Sequence, residues 1–143
     1  MVVKMEVIVR GADRLAEIIS TNRLYNKIDR FLDRGAELVR QEAEALAPVR
    51  TGRLAASIQK TRIGAMHYVV GSPLSYAVFQ EVGTRPHMIY PRNARALRFE
   101  IGGAEVFAKY VQHPGFEGRR YFARAVAVFR SEWRGIFEEV MRE

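Results

Sequence analysis

An α+β fold is predicted, with antiparallel β-hairpins forming a sheet that packs with a long helix in the N-terminal half and a second helix at the C-terminus. Three observations predict it. Apolar residues recur with a 3.6-residue period from Leu24 to Ala47, and again from Tyr121 to Met141. Between these two segments lie short stretches rich in β-branched and aromatic residues. The stretches are joined by Gly64-Ala65 and by Gly102-Gly103, both of which are turn signals.

Taken in order, Lys4 to Val9 reads as a strand that Gly11 stops, and Asp13 to Ile19 as a short helix. Ser20-Thr21-Asn22 is a run of capping residues ahead of the long helix. Leu24, Ile28, Phe31, Leu32, Leu38, Val39 and Leu46 form that helix's apolar face. The pairs Arg30/Asp33, Arg34/Glu37 and Arg40/Glu44 lie on its wet side. Pro48 ends it, because the residue before proline is pushed out of the α region. Strands are expected over 54–63 and 66–71, then a short helix over 74–82 with Pro73 at its start and Gly83 closing it in the left-handed conformation. Thr84 to Arg95 reads as a basic, proline-stiffened loop, followed by strands at 96–101 and 105–111. His113 to Arg120 reads as a loop. The last helix places Phe122, Val126, Phe129, Trp133, Ile136 and Val140 on one stripe. No repeat, low-complexity tract or linker interrupts the chain, so 1–143 is expected to be one domain.

At 143 residues, with 48% hydrophobic and 27% charged residues, the chain has the balance of a globular protein with a core of its own. It has no cysteine, which removes disulfide frameworks, thiolate zinc sites and cysteine nucleophiles together. No apolar run reaches the roughly 18 residues of a membrane-spanning helix, and residues 1–10 do not resemble a secretory signal. A soluble protein made in a cytoplasm is expected, with no membrane partner.

The net charge is +7, and 19 of the 23 basic residues are Arg. Residues 48–62, 85–98 and 118–131 each carry four basic residues and no acid, so these three segments hold +12 and the remainder is −5. Clustered Arg suits bidentate contact with phosphates or with carboxylates of a partner surface. Codon bias or thermal adaptation also produces such an excess.

Catalytic signatures are missing. The sequence has no phosphate-binding glycine loop and no nucleophile elbow. His67, His87 and His113 lack metal-ligand spacing, so no metal or cofactor is expected. His67 suits cross-strand packing and His113 a hydrogen bond within its loop. Glu81, near a short helix's end and beside Arg85, is expected to form a structural ion pair with Arg53, Arg85 or an arginine of a neighbouring subunit.

Two stretches look like family signatures. One is Ala47-Pro48-Val49-Arg50-Thr51-Gly52-Arg53-Leu54-Ala55-Ala56-Ser57-Ile58, and the other is Tyr76-Ala77-Val78-Phe79-Gln80-Glu81-Val82-Gly83-Thr84. Arg120-Tyr121-Phe122 with Ala125 follows ahead of the terminal helix. In this order they resemble the tail-completion and head–tail joining (neck) proteins of long-tailed bacteriophages, the group that includes the minor tail protein Z of phage lambda. The resemblance spans roughly residues 40–128 and departs at Arg50, where the family more often has an acid. It implies a structural virion protein, not an enzyme, that acts as an oligomeric ring, sixfold to match a tail tube. Its place would be the neck or upper tail, reached from the host cytoplasm during assembly.

The residues themselves describe a scaffold. Thr51-Gly52 suits a tight turn, with the Thr hydroxyl free to accept a nearby N–H. Two functions are carried forward. In the first, the ring's partners are its own copies, neighbouring neck, tail-terminator or tail-tube proteins, and DNA crossing the joint. Met88, Ile89 and Tyr90 reach a neighbour, while Arg92, Arg95 and Arg98 meet its acids. In the second, the chain is a small basic nucleic-acid-binding protein, with Tyr68, Tyr76, Phe79 and Tyr90 as stacking residues.

Overall fold

The computed structural model describes residues 3–6 and 22–143. The helix expected over 13–19, residues 7–9 of the first predicted strand, and positions 11, 20 and 21 lie outside the described residues.

Helix α1, Asn22–Leu46, is the predicted long helix. Its most buried line is not the leucine stripe. Gly35, Val39, Ala43 and Ala47 are buried, whereas Leu24, Leu38 and Leu46 are only half-buried. The reason is the partner helix. Helix α4, Tyr121–Arg142, packs along α1 with Tyr121, Phe122 and Ala125 in the shared core. Small residues let the two backbones approach, and a Cβ on Gly35 would stand 2.6 Å from the Phe129 ring. The helices run antiparallel, since Lys27 Nζ donates to the Met141 carbonyl at 2.6 Å and Arg30 pairs with Glu143 at 2.6 Å.

Beside this pair lies a three-stranded antiparallel sheet in the order β1-β3-β2, formed by β1 (Val3–Glu6), β2 (Gln59–Gly64) and β3 (His67–Ser72). Tyr68, Val69 and Val70 of the central strand are all buried, as expected where both faces are covered. Asp29 of α1 fixes the β2–β3 turn. It accepts the Met66 N–H at 3.1 Å and the Tyr68 hydroxyl at 3.2 Å, and pairs with Arg62 at 3.0 Å. Met66 has φ 50°, so it is the turn residue and not the start of the predicted strand.

Three further ladders have two strands each. β4 (Gly83–Thr84) pairs with β9 (Phe116–Glu117), and β5 (His87–Ile89) pairs with β8 (Val111–His113). β6 (Leu97–Ile101) pairs with β7 (Ala104–Ala108). Gly102 and Gly103 connect β6 to β7 with φ 59° and 86°, the two positive angles that a type I′ hairpin turn needs.

Several predicted boundaries move. Arg53–Ala56 is a helical turn, α2, and not the beginning of a strand, because the left-handed Gly52 (φ 75°, ψ −9°) reverses the chain and drops Leu54 into the core. Helix α3 is Ala77–Val82, so Pro73 precedes it by four residues and Tyr76 caps it. Gly83 has φ 81° but ψ −173°, which is extended and not left-handed helical, so the chain passes directly into β4. The expected loop from Thr84 to Arg95 contains β5, and the strand expected over 105–111 splits into β7 and β8 at Lys109-Tyr110. Of the expected pairs on α1, Arg40–Glu44 forms at 2.6 Å. Arg30 and Arg34 turn to Glu143, while Asp33 and Glu37 take Lys60 of β2 at 2.9 and 3.2 Å.

Candidate assembly surface

The second signature, residues 76–84, meets the Arg120-Tyr121-Phe122 stretch at the junction of α3 and α4. The first turn of α4 has no acidic residue, and its cap, Arg120 (φ 52°), offers no side-chain hydrogen bond. Its open N–H groups and the positive end of its dipole would be left bare. Glu81 fills the gap: its carboxylate oxygens accept the Phe122 N–H at 2.9 Å and the Ala123 N–H at 3.0 Å. The Glu81 and Gln80 carbonyls accept the N–H groups of Arg120 and Arg119 at 3.0 and 2.8 Å. The Tyr121 hydroxyl, on a fully buried side chain, donates to the Ala77 carbonyl at 3.3 Å. Burial, with the Glu81 charge adding, pushes that phenol up to about 12.

Within one chain, backbone N–H groups therefore stand where Arg53 or Arg85 was expected to pair with Glu81. Among the described residues no arginine forms an ion pair with it. Gly83, Gly115 and Gly118 make the junction possible. A Cβ on Gly118 would strike the Glu81 carbonyl oxygen and stand 2.6 Å from the Gly83 nitrogen, and one on Gly115 would stand 2.9 Å from the Pro86 nitrogen. Sequence reasoning singled out Gly83 alone. The spacing of two glycines in His113-Pro114-Gly115-Phe116-Glu117-Gly118 was the signal for the others.

The other predicted residues divide between junction, core and surface. Pro48 is half-buried after α1, and Phe122 is buried. The Thr51 hydroxyl accepts the Arg53 N–H at 3.5 Å across the Gly52 turn. Thr84 is half-buried, and its hydroxyl oxygen is buried without a hydrogen-bond partner among the described residues. Arg53, Arg85, Arg92, Arg95 and Arg120 are exposed with no ion pair among the described residues, whereas Arg98 pairs with Glu105 across the hairpin. Met88 and Tyr90 are exposed and Ile89 is half-buried, with the Tyr90 and Tyr110 rings tilted against each other, their centroids 6.3 Å apart. His113 Nδ1 accepts the Gly115 N–H at 3.0 Å, and its ring lies 5.1 Å from that of His87.

Two concave apolar surfaces stand out. One, of about 210 Å³, lies between α1, α4 and β3 and is lined by Phe31, Gly35, Met66, Phe129 and Trp133. The other is an open groove of about 710 Å³ beside α3, lined by Tyr76, Phe79, Arg85, Ile89 and Phe116. The groove is also lined by Thr84, His87 and His113, and among the described residues the Thr84 hydroxyl makes no hydrogen bond to either imidazole. Among the described residues no three His, Asp or Glu converge on a point that could hold a metal. Among them, too, no helix is long and apolar enough to cross a membrane. A scaffold with bare arginines, an exposed hairpin and two apolar hollows suits contact with other proteins.

Residues 12–83, just over half of the chain, match the model of a family described as "Bacteriophage HK97-gp10, putative tail-component". The chain belongs to this HK97-gp10-like family. It is thus a member of a phage tail-component family, and the matched span includes α1, the Thr51-Gly52 turn, the β2–β3 hairpin and Glu81. No curated protein and no solved structure matches the chain.

Proposed function

We propose that this protein is a structural component of the phage virion that forms a ring at the neck or upper tail, completing the tail and joining it to the head. Membership in a tail-component family carries the reading. The surface supports it. The bare arginines Arg50, Arg53, Arg119, Arg120 and Arg124 flank the end where α1 stops and α4 begins, and these suit acidic faces of neighbouring subunits or DNA crossing the joint. A ring of six copies would match a sixfold tail tube, with tail-terminator or tail-tube proteins as neighbours and lambda protein Z as a counterpart. The test is a phage carrying an amber codon in this gene. Accumulation of full heads and unjoined tails, with labelled protein at the joint on complementation, is the expected result. Normal particles without the protein would refute the reading.

The same unpaired arginines favour a second reading, a nucleic-acid-binding protein. It predicts tight DNA binding by the isolated chain that survives moderate salt, whereas a joint protein binds weakly, without sequence preference and with steep salt dependence.

A further inference from the structure

We infer that the β6–β7 hairpin docks into the α3 groove of a second copy of this chain, a head-to-tail contact that specifies the self-assembly proposed above and rests on it. The hairpin is a poor structure on its own. Beyond each other, β6 and β7 make no extensive contact with any element among the described residues. A lone two-stranded ribbon is marginal in water, and both of its edges stay open. Its apolar face, with Leu97, Phe99 and Val106, is only half-buried, and Ile101 at its tip is 62% exposed.

Its charge is also incomplete. Glu100 stands directly across from Glu105, a like-charge pair that weakens a ribbon. Arg98 answers Glu105, but Glu100 has no cation among the described residues. The complement is present elsewhere on the chain. The α3 groove is apolar, with Tyr76, Phe79 and Phe116 part-exposed, and Arg85 beside them has no carboxylate among the described residues. No hairpin residue lines the groove of its own copy. An Ile101 tip seated among the aromatics, with Glu100 against Arg85, satisfies both surfaces at once. Because the two surfaces differ, the contact is heterologous, the kind that closes rings when the rotation per subunit divides a full turn.

The chain has no cysteine, so single introduced thiols report cleanly. Ile101→Cys protein mixed with Phe79→Cys protein, treated with a short bis-maleimide at high concentration and also within purified tails, should give cross-linked pairs. Either variant alone should not. Glu100→Arg or Arg85→Glu should each lower the cross-linked yield about tenfold, and the chain carrying both should recover it. These positions are exposed, and among the described residues Glu100 and Arg85 make no ion pair, so an unchanged circular dichroism melt is expected. Cross-linking of Ile101→Cys to itself, or failure of the double reversal to recover, overturns the pairing. So does absence of cross-links in tails that contain the protein, and that result leaves the tail reading standing. Cross-links in the purified protein, with none of it found in tails, uphold the pairing and reject the tail reading.

Discussion

Glu81 Oε2 accepts the backbone N–H of Phe122 at 2.9 Å, so a residue 41 positions upstream caps the C-terminal helix. The helix cannot cap itself, because its own boundary residue is the left-handed Arg120 and its first turn contains Arg124. A carboxylate at that point also answers the dipole and the nearby positive charges.

Glu81→Ala should therefore destabilise the fold by about 1–2 kcal/mol, through one part-buried and one exposed N–H group left without their acceptor. Glu81→Gln should cost less, about 1 kcal/mol, since one carbonyl oxygen survives. Urea denaturation measures both. A double-mutant cycle with Arg53 or Arg85 should give coupling near zero, and coupling above about 1 kcal/mol would revive the ion-pair expectation.

Glycine substitutions should separate by place. Gly118→Ala drives a methyl group into the Glu81 backbone, which cannot yield as a flexible side chain would, and a loss of about 3 kcal/mol or misfolding is expected. Gly135→Ala meets nothing within 4 Å on α4 and should stabilise by about 1 kcal/mol. Thermal melts of the two variants, side by side, check the contrast.

Acid should weaken the α1–β2 contact in a defined window. Hydrogen bonds from Arg40, then from Lys60, hold the Glu37 carboxyl at about 2, below its ordinary 4.5. A depressed carboxyl stabilises the fold fully above pH 4.5 and loses that contribution as pH falls toward 2. The site is about one-third exposed, so screening limits the effect to about 1 kcal/mol. Glu37→Gln should flatten the stability profile across this range in denaturant titrations.

Alkali should act on Tyr121 in the opposite sense. Its phenol is raised to about 12, so the neutral form is favoured in the fold. The contribution is complete below pH 10 and is lost as pH rises from 10 to 12. Tyr121→Phe should cost about 1 kcal/mol at neutral pH through the lost bond to Ala77. It should also remove the most alkaline step from the ultraviolet titration of tyrosine.

The positions of helices α1 and α4 and of the two hairpins were legible in the sequence because their signals are local. Apolar periods, Pro48 and the Gly102-Gly103 turn act on neighbours along the chain. Where prediction missed, a distant group had decided. Leu54 lies in a helical turn because the core below α1 takes it, and Lys60 of β2 takes Asp33 and shares Glu37 with Arg40 while Arg30 and Arg34 turn to Glu143. The order of the motifs marked residues 47–58, 76–84 and 120–125 as belonging together, but not how they touch.

The sequence by itself determined the α+β class, the cysteine-free basic character and the resemblance to phage tail proteins, all properties of composition and short-range order. Tertiary structure alone decided the role of Glu81 and the paired narrow passes at Gly83, Gly115 and Gly118. It also decided which arginines stay bare. A carboxylate has the same sequence context whether it will meet a guanidinium or a helix end. Only the fold brings the N–H groups of Phe122 and Ala123 to it, and two aligned N–H donors at the positive end of a helix are a sufficient partner for the charge.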